Sequence, residues 1–144
     1  MTMFVLIVGC GRVGSAVARS MLAEGHEVSV LDEDPEAIAQ LEKGMDRSWV
    51  DAGGSFTVGT ALEMDALEEA GIERADAFVA STDGDNTNLV IAQIAQRRFE
   101  IDTVVVRVLD HLRATWYEQQ GLRTVCPTKI AIEMLDEAVH EGVK

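Results

Sequence analysis

The chain has 144 residues, 47% hydrophobic and 26% charged, a composition typical of one soluble globular domain. This length is enough for one packed core but too short for a nucleotide-binding domain together with a separate catalytic domain. The chain carries 25 acidic residues against 12 lysines and arginines, a formal net charge of −13. This charge argues against nucleic acid and anionic membrane surfaces as partners.

The longest apolar run, residues 3–10, is far shorter than the roughly 20 residues that cross a bilayer. It also lacks the basic flank and cleavage site of a signal peptide. We therefore expect a buried first strand and a cytoplasmic protein with no direct membrane insertion. The two cysteines, Cys10 and Cys126, have no second pair or histidine cluster that would complete a zinc site, so we expect two reduced thiols.

Apolar strands alternate with amphipathic helices along the whole chain. Strands are expected at residues 3–9, 26–32, 55–59, 75–82, 103–108 and 123–126. Helices are expected at residues 13–24, 35–43, 63–70, 88–98, 111–120 and 127–139. This alternation predicts an α/β fold in a single domain, a Rossmann-type doubly wound parallel sheet of six strands. Such sheets bind ligands at the carboxyl ends of the strands.

Three glycines, Gly9, Gly11 and Gly14, form a G-x-G-x-x-G motif between the first strand and the first helix. In a dinucleotide site, the first permits a tight turn, the second lets the backbone approach the pyrophosphate, and the third lets helix and strand pack closely. Asp32 ends the second strand and would accept hydrogen bonds from the adenosine ribose. The alternative is a glycine turn that binds no ligand.

Charged residues near the motif refine this prediction. Glu33 and Asp34 follow Asp32 and disfavour the 2′-phosphate of NADP. Arg12 offers a fork of donors to phosphate, although a solvated arginine at a helix start would look the same. Arg107 lies in an apolar strand and needs either an anion or a carboxylate in a structural salt bridge.

Five stretches carry a resemblance to a known family. They are, in chain order, "GCGRVG", "GHEVSVLDEDPEAI", "GTALEMDALEEAGIERADAFVASTDGDNTNLVIAQIAQ", "VVVRV" and "GLRTVCP". Together they resemble the nucleotide-binding N-terminal domain of the TrkA and KtrA potassium-transport regulators, also called the RCK or KTN domain. The resemblance covers nearly the whole chain, and residues 59–88 are its most specific part.

The resemblance implies a cytoplasmic sensor at the inner face of the membrane that binds NAD(H), ATP, ADP or AMP, with NAD(H) expected first. It also implies a homodimer, or a higher ring assembly, that controls an integral membrane potassium transporter or channel. By matching position, Ser81 and Thr82 lie beside the ribose and phosphates, and Arg107 points into the same cleft. The other expected nucleotide-binding residues are Gly9, Cys10, Gly11, Arg12, Val13 and Gly14 in the phosphate loop, Asp32 and Glu33 at the ribose, and Thr60 and Ala61 at the adenine.

Two positions depart from the family pattern, and both concern ligand choice. Relatives usually carry Asp at Thr60, which leaves the choice of nucleotide open, and some ATP-binding relatives carry a metal-binding Glu at Thr128, so no metal is expected. The family's C-terminal regulatory lobe is missing. We expect either a piece of a longer protein or a second chain that supplies the lobe.

No catalytic residue is predicted, because a dehydrogenase needs a substrate pocket and a proton-transfer residue beyond its nucleotide site. The alternative function is the nucleotide-binding domain of an NAD-dependent oxidoreductase or of another multidomain enzyme, or a regulator of a phosphoesterase or exchanger. The last helix carries an apolar stripe that includes Ile130, Met134 and Val139. We expect part of it to cover the sheet edge and the rest to form a dimer together with the helix around Trp116 and Tyr117. A helix packed fully on its own domain is the alternative.

Overall fold

The computed structural model describes residues 1–143, and six strands form one all-parallel sheet. The strands are β1 Phe4–Val8, β2 Glu27–Asp32, β3 Ser55–Val58, β4 Ala77–Ala80, β5 Thr103–Arg107 and β6 Arg123–Val125. Their order across the sheet is β3-β2-β1-β4-β5-β6. The order reverses between β1 and β4, which is where doubly wound sheets open a ligand crevice. The predicted fold class is confirmed.

The helices are α1 Arg12–Ala23, α2 Ile38–Leu41, α3 Met64–Glu69, α4 Asp85–Gln93, α5 Ala114–Gln119 and α6 Pro127–Gly142. The predicted second helix is present but shorter, because Pro35–Ala37 forms a 3₁₀ turn capped by the Asp34 side chain and α2 continues it only to Leu41. The fifth helix starts later than predicted, since the Asp110 carboxylate accepts from the Leu112 N–H and holds a turn. A π-helical turn, Ile94–Arg98, extends α4.

The hydrophobic core lies on both faces of the sheet, as alternation along β1 requires. Leu6 and Val8 face one cluster, and Val5 and Ile7 face the other. The second cluster also contains Trp49, which is fully buried although it lies in the loop between α2 and β3. Its indole N–H donates to the Ser55 carbonyl oxygen at 2.9 Å. Two packed faces give a rigid base for the loops at the strand ends.

α6 differs from the other long helices because none of its residues is buried. Its apolar side chains are exposed, including Met134 (64%) and Leu135 (68%). The stripe therefore does not cover the sheet edge, contrary to our expectation. Tyr117 also departs from the expected dimer surface, because it is buried in its own domain and donates its hydroxyl to the Asp85 carbonyl oxygen at 2.9 Å. Among residues 1–143, no helix is long and apolar enough to span a membrane.

Candidate functional site

A cleft of about 780 Å³ opens at the carboxyl ends of β1, β2 and β4, within the size range of small-molecule sites. Most of the predicted binding residues line it: Gly9, Cys10, Gly11, Arg12, Asp32, Glu33, Thr60, Ala61, Ser81 and Thr82. The cleft lining also includes Asp34, Leu62, Asp83 and Gly84, which the sequence did not single out as ligand contacts. Three predicted residues, Val13, Gly14 and Arg107, lie outside the lining.

The three glycines of the motif meet three different steric requirements. Gly9 has φ +101°, and a Cβ there would stand 2.5 Å from the Ser81 carbonyl oxygen. A Cβ at Gly14 would overlap the Gly9 carbonyl oxygen, so α1 packs on β1 only with glycine there. At Gly11, by contrast, nothing lies within 4 Å of the Cβ position. This open space on the cleft wall gives a ligand room to contact the backbone of Gly11.

The N-terminus of α1 is electrostatically suited to an anion. No side chain caps it and its first turn contains no acidic residue, within the part of the chain that the structure describes. Arg12 stands at the first helical position and lines the cleft. Unpaired N–H groups at a helix N-terminus, next to a guanidinium, can together hold a phosphate.

Asp32 joins the phosphate loop to the end of β2. Its Oδ2 accepts from the Cys10 N–H at 2.7 Å, and its Oδ1 accepts from the Asp34 N–H at 2.9 Å. Each carboxylate oxygen keeps acceptor capacity for a further donor, such as a ribose hydroxyl. Asp32 therefore holds the phosphate loop against the end of β2 and is also a candidate to bind the ligand.

The Cys10 thiol lines the cleft but is held in a neutral state. Burial, and then the nearby Asp32 carboxylate, raise its pKa to about 11, and Arg19 opposes this rise. The thiol donates to the Ala37 carbonyl oxygen at 3.4 Å. Both cysteines are free and buried. A protonated, buried thiol is a poor nucleophile and a poor metal ligand.

Ser81 and Thr82 form the opposite wall, and both hydroxyl hydrogens are used within the protein. Ser81 Oγ lies 3.0 Å from the Gly9 carbonyl oxygen and 3.1 Å from that of Val8, to which it can donate. Thr82 Oγ1 donates to Asn88 Oδ1 at 2.6 Å. These hydroxyls brace the ends of β1 and β4, and toward the cleft they remain acceptors.

Arg107, which was expected to point into the cleft, is not among its lining residues and lies beside it. Its guanidinium donates to the Thr82 carbonyl oxygen at 2.8 Å and lies 3.5 Å from the Asp83 carboxylate. Its Nε is buried and has no hydrogen-bond partner within residues 1–143. The carboxylate partner that the sequence argument allowed is therefore Asp83, and Arg107 supports the loop of residues 82–84.

Asn88, in the first turn of α4, also holds this loop, and sequence reasoning missed it as a site residue. It is fully buried at the start of α4, and its side-chain amide makes four hydrogen bonds. The available signal was the T-D-x-D-x-x-N spacing, which places Asn88 six residues after Thr82.

The charges of the cleft lining are unbalanced. Among the described residues, Arg12 is the one cation in the lining, facing four carboxylates at Asp32, Glu33, Asp34 and Asp83. Residues 1–143 contain no group of three or more His, Cys, Asp or Glu placed to hold a metal ion. The electrostatic free energy of binding an anionic ligand is therefore most favourable near Arg12. Each further negative charge that the ligand places elsewhere in the cleft makes binding less favourable.

The TrkA-N domain profile matches residues 5–127 of this chain. This chain belongs to the TrkA-N domain family. The TrkA-N match contains the six strands, except Phe4 at the start of β1, and the first residue of α6. It therefore includes every loop that lines the cleft.

Individual relatives agree with the family assignment. The Trk system potassium uptake protein TrkA of Streptomyces coelicolor is 37% identical over 143 residues, covering 99% of this chain and 61% of the relative. The AMP-bound Kef CTD of Shewanella denitrificans is 26% identical with a TM-score of 0.76, covering 98% of this chain and 82% of that one. The crystal structure of GsuK bound to ADP shares the fold at 19% identity and a TM-score of 0.77, covering 97% of this chain and 34% of that one. The TrkA-N chain thus spans about three fifths of the length of the Streptomyces coelicolor and Methanothermobacter thermautotrophicus TrkA relatives, and 23% of that of the Halomonas elongata relative.

Proposed function

We propose that this TrkA-N domain binds an adenine nucleotide, NAD(H) first, and acts as a sensor that controls potassium transport through a membrane partner. The observation that carries the proposal is the cleft beside the glycine motif, in a chain that matches the TrkA-N profile over most of its length. The name of the Streptomyces coelicolor relative supports the potassium-transport part. The AMP-bound Kef CTD supports the nucleotide part.

The cleft fits an adenine nucleotide by shape and by charge. The open space at Gly11, the uncapped start of α1 and Arg12 would hold the phosphates. Asp32 would accept from the adenosine ribose, and the loop at Thr60 and Ala61 would flank the adenine. Four carboxylates around one cation favour NAD(H), which carries less charge than ATP, and disfavour NADP. ADP and AMP remain candidate ligands of the same cleft.

A sensor role is favoured over an enzymatic one by the composition of the cleft. Among the described residues, its lining contains no histidine, lysine or tyrosine, and of its four carboxylates Asp32 is already bound to two backbone N–H groups. The lining thiol is neutral, with a pKa of about 11. Bound nucleotide would therefore act by its presence rather than by reacting.

The exposed helix α6 supports a homodimer as the unit that reads nucleotide occupancy. The α4 N-terminus adjoins the cleft, and its Asp85 carboxylate accepts from the N–H groups of Leu109 and Asp110 at 2.7 and 2.9 Å. Leu109 in turn accepts from the Thr128 hydroxyl at the start of α6, at 3.3 Å. These bonds form one framework from cleft to helix, through which a cytoplasmic dimer would act on an integral membrane transporter or channel.

Isothermal titration with NADH, AMP and ATP tests the proposed ligand. We expect NADH to bind, and Asp32→Ala to weaken it by roughly 1.5–3 kcal/mol for each charge-assisted hydrogen bond lost. Asp65→Ala, in the first turn of α3 and outside the cleft, is the charge-matched control and should bind as the parent does. If the Asp32 variant bound NADH as tightly as the parent, Asp32 would not bind the ribose. Steady NADH oxidation with any of a panel of carbonyl substrates would overturn the sensor role.

A further inference from the structure

The side chain of Asn88 uses its full hydrogen-bonding capacity on two residues, Thr82 and Arg107. Its Oδ1 accepts from the Thr82 N–H at 2.9 Å and from the Thr82 hydroxyl at 2.6 Å. Its Nδ2 donates to the carbonyl oxygens of Thr82 and Arg107, both at 3.0 Å. Two acceptor sites and two donors are all that a primary amide has. Three of the four bonds go to Thr82.

Asn88 itself does not line the cleft, but Thr82 and the two residues after it do. Asn88 is fully buried, so any effect on a ligand must act through Thr82. Arg107 adds a second bond to the Thr82 carbonyl oxygen at 2.8 Å. The conformation of the loop of residues 82–84 is thus fixed from the interior of the domain, on the side away from solvent.

Sheet order determines which part of a ligand would meet this loop. β2 and β3 lie on one side of β1, and β4 lies on the other. Asp32 and the loop at Thr60 follow β2 and β3, whereas Ser81 and Thr82 follow β4. An adenosine held at Asp32, with its phosphates at α1, would leave the remainder of a dinucleotide directed toward residues 82–84. AMP would reach that loop with its single phosphate at most, whereas a dinucleotide would extend along it.

We propose that Asn88 is a positioning residue that sets the affinity of the cleft for the part of a dinucleotide beyond the first phosphate. Asn88 thereby determines how strongly the domain distinguishes NAD(H) from AMP. This inference rests on the proposed nucleotide-binding function. It assigns the selectivity to a buried amide rather than to a group that touches the ligand.

The test is a double-mutant cycle on ligand affinity. Dissociation constants for NADH and AMP are measured for the parent, Asn88→Ala, Thr82→Val and the double variant. Each single variant should weaken NADH binding about tenfold and change AMP binding less than twofold. Because Asn88 acts through Thr82, the effects of the two substitutions should not multiply. The double variant should have an NADH dissociation constant no more than about threefold above that of whichever single variant binds NADH less tightly.

Asn86→Ala is the matched control, an exposed amide on the same helix that pairs with Arg113 and does not line the cleft. It should leave both affinities unchanged. If Asn88→Ala fails to fold, Asn88→Ser keeps a short, neutral polar side chain while removing the amide donors, and it should show the same selective loss.

Two results would overturn the inference while leaving nucleotide binding intact. One is an equal loss of NADH and AMP in the Asn88 variants, which would mean general destabilisation. The other is a double variant whose loss is the product of the single losses, which would mean that the Thr82 hydroxyl contacts the ligand directly. A parent protein that binds neither ligand would instead overturn the proposed function, and the inference with it.

Discussion

The Cys10 thiol is one of several side chains in the cleft whose chemistry is determined by neighbours distant in sequence. Burial and the Asp32 carboxylate disfavour its thiolate, while its hydrogen is directed at the Ala37 carbonyl oxygen. Asp32 is held in turn by the N–H groups of Cys10 and Asp34. The folded state therefore favours the protonated thiol at the base of the phosphate loop.

This preference makes stability depend on pH in the alkaline range. Because the folded pKa is about 11 against 9.0 for an unperturbed thiol, the stabilisation is complete below pH 9 and is lost as pH rises toward 11. Between pH 8 and 10.5, the parent should lose up to about 2 kcal/mol more unfolding free energy than Cys10→Ala. Urea titrations at the two pH values measure this difference. Tyr117, whose pKa burial also raises, contributes equally to both proteins, so parallel losses would contradict the assignment.

At the scale of elements, the turn from β1 into α1 separates folding from binding within one motif. Gly14 faces the Gly9 carbonyl oxygen and makes the close packing of helix and strand possible. Gly11 faces open space and has an extended backbone, φ −80° and ψ −164°, which alanine also adopts. Two glycines three residues apart thus serve stability and the ligand respectively.

Alanine substitutions at these two glycines should therefore affect different properties, fold stability at Gly14 and NADH affinity at Gly11. Gly14→Ala should destabilise the fold by about 1–3 kcal/mol, because the new methyl overlaps backbone that has little room to move. Gly11→Ala should leave the melting temperature nearly unchanged but weaken NADH binding at least tenfold, because its methyl occupies the space at the uncapped helix start. Thermal melts and calorimetry on both variants make the comparison. Retained NADH affinity in Gly11→Ala would place the phosphates elsewhere.

At the scale of the whole molecule, α6 extends from the domain with all its apolar side chains exposed. Ile130, Met134, Leu135 and Val139 are between 46% and 68% exposed. Monomeric proteins rarely keep such a contiguous apolar surface in water. On α5, Trp116 is 49% exposed, while Tyr117 is buried.

We expect a two-fold dimer formed through α6, because a self-complementary apolar helix is removed from water most simply by a second copy. Light scattering at micromolar concentration should give twice the mass of the chain. Met134→Glu should return it to the monomer mass, since the charge would be buried without a partner. Glu133→Gln, at an exposed position on the same helix, is the control and should remain dimeric. A monomer mass for the parent, with and without NADH, would contradict the dimer.

Local sequence patterns were enough to predict the layered fold and the position of the cleft beside the glycine motif. Apolar residues with a period of two along β1, helical spacing after it and a glycine motif between them are properties of neighbouring residues. The same locality made Asp32 predictable, since it ends the strand that follows the motif. Helix ends were less predictable where side-chain caps, such as those of Asp34 and Asp110, replaced a helical turn.

Only the tertiary structure decided what Arg107, Asn88 and α6 do. A charged residue in an apolar strand requires a partner, but the choice between a ligand and Asp83 depends on the packing of β4 beside β5. Asn88 gains its role because its helix brings the amide against Thr82 and the end of β5. Whether an apolar helix packs on its own domain depends on a matching groove, which its own sequence does not encode. Periodicity specifies faces and elements, whereas long-range packing selects the partner of each face.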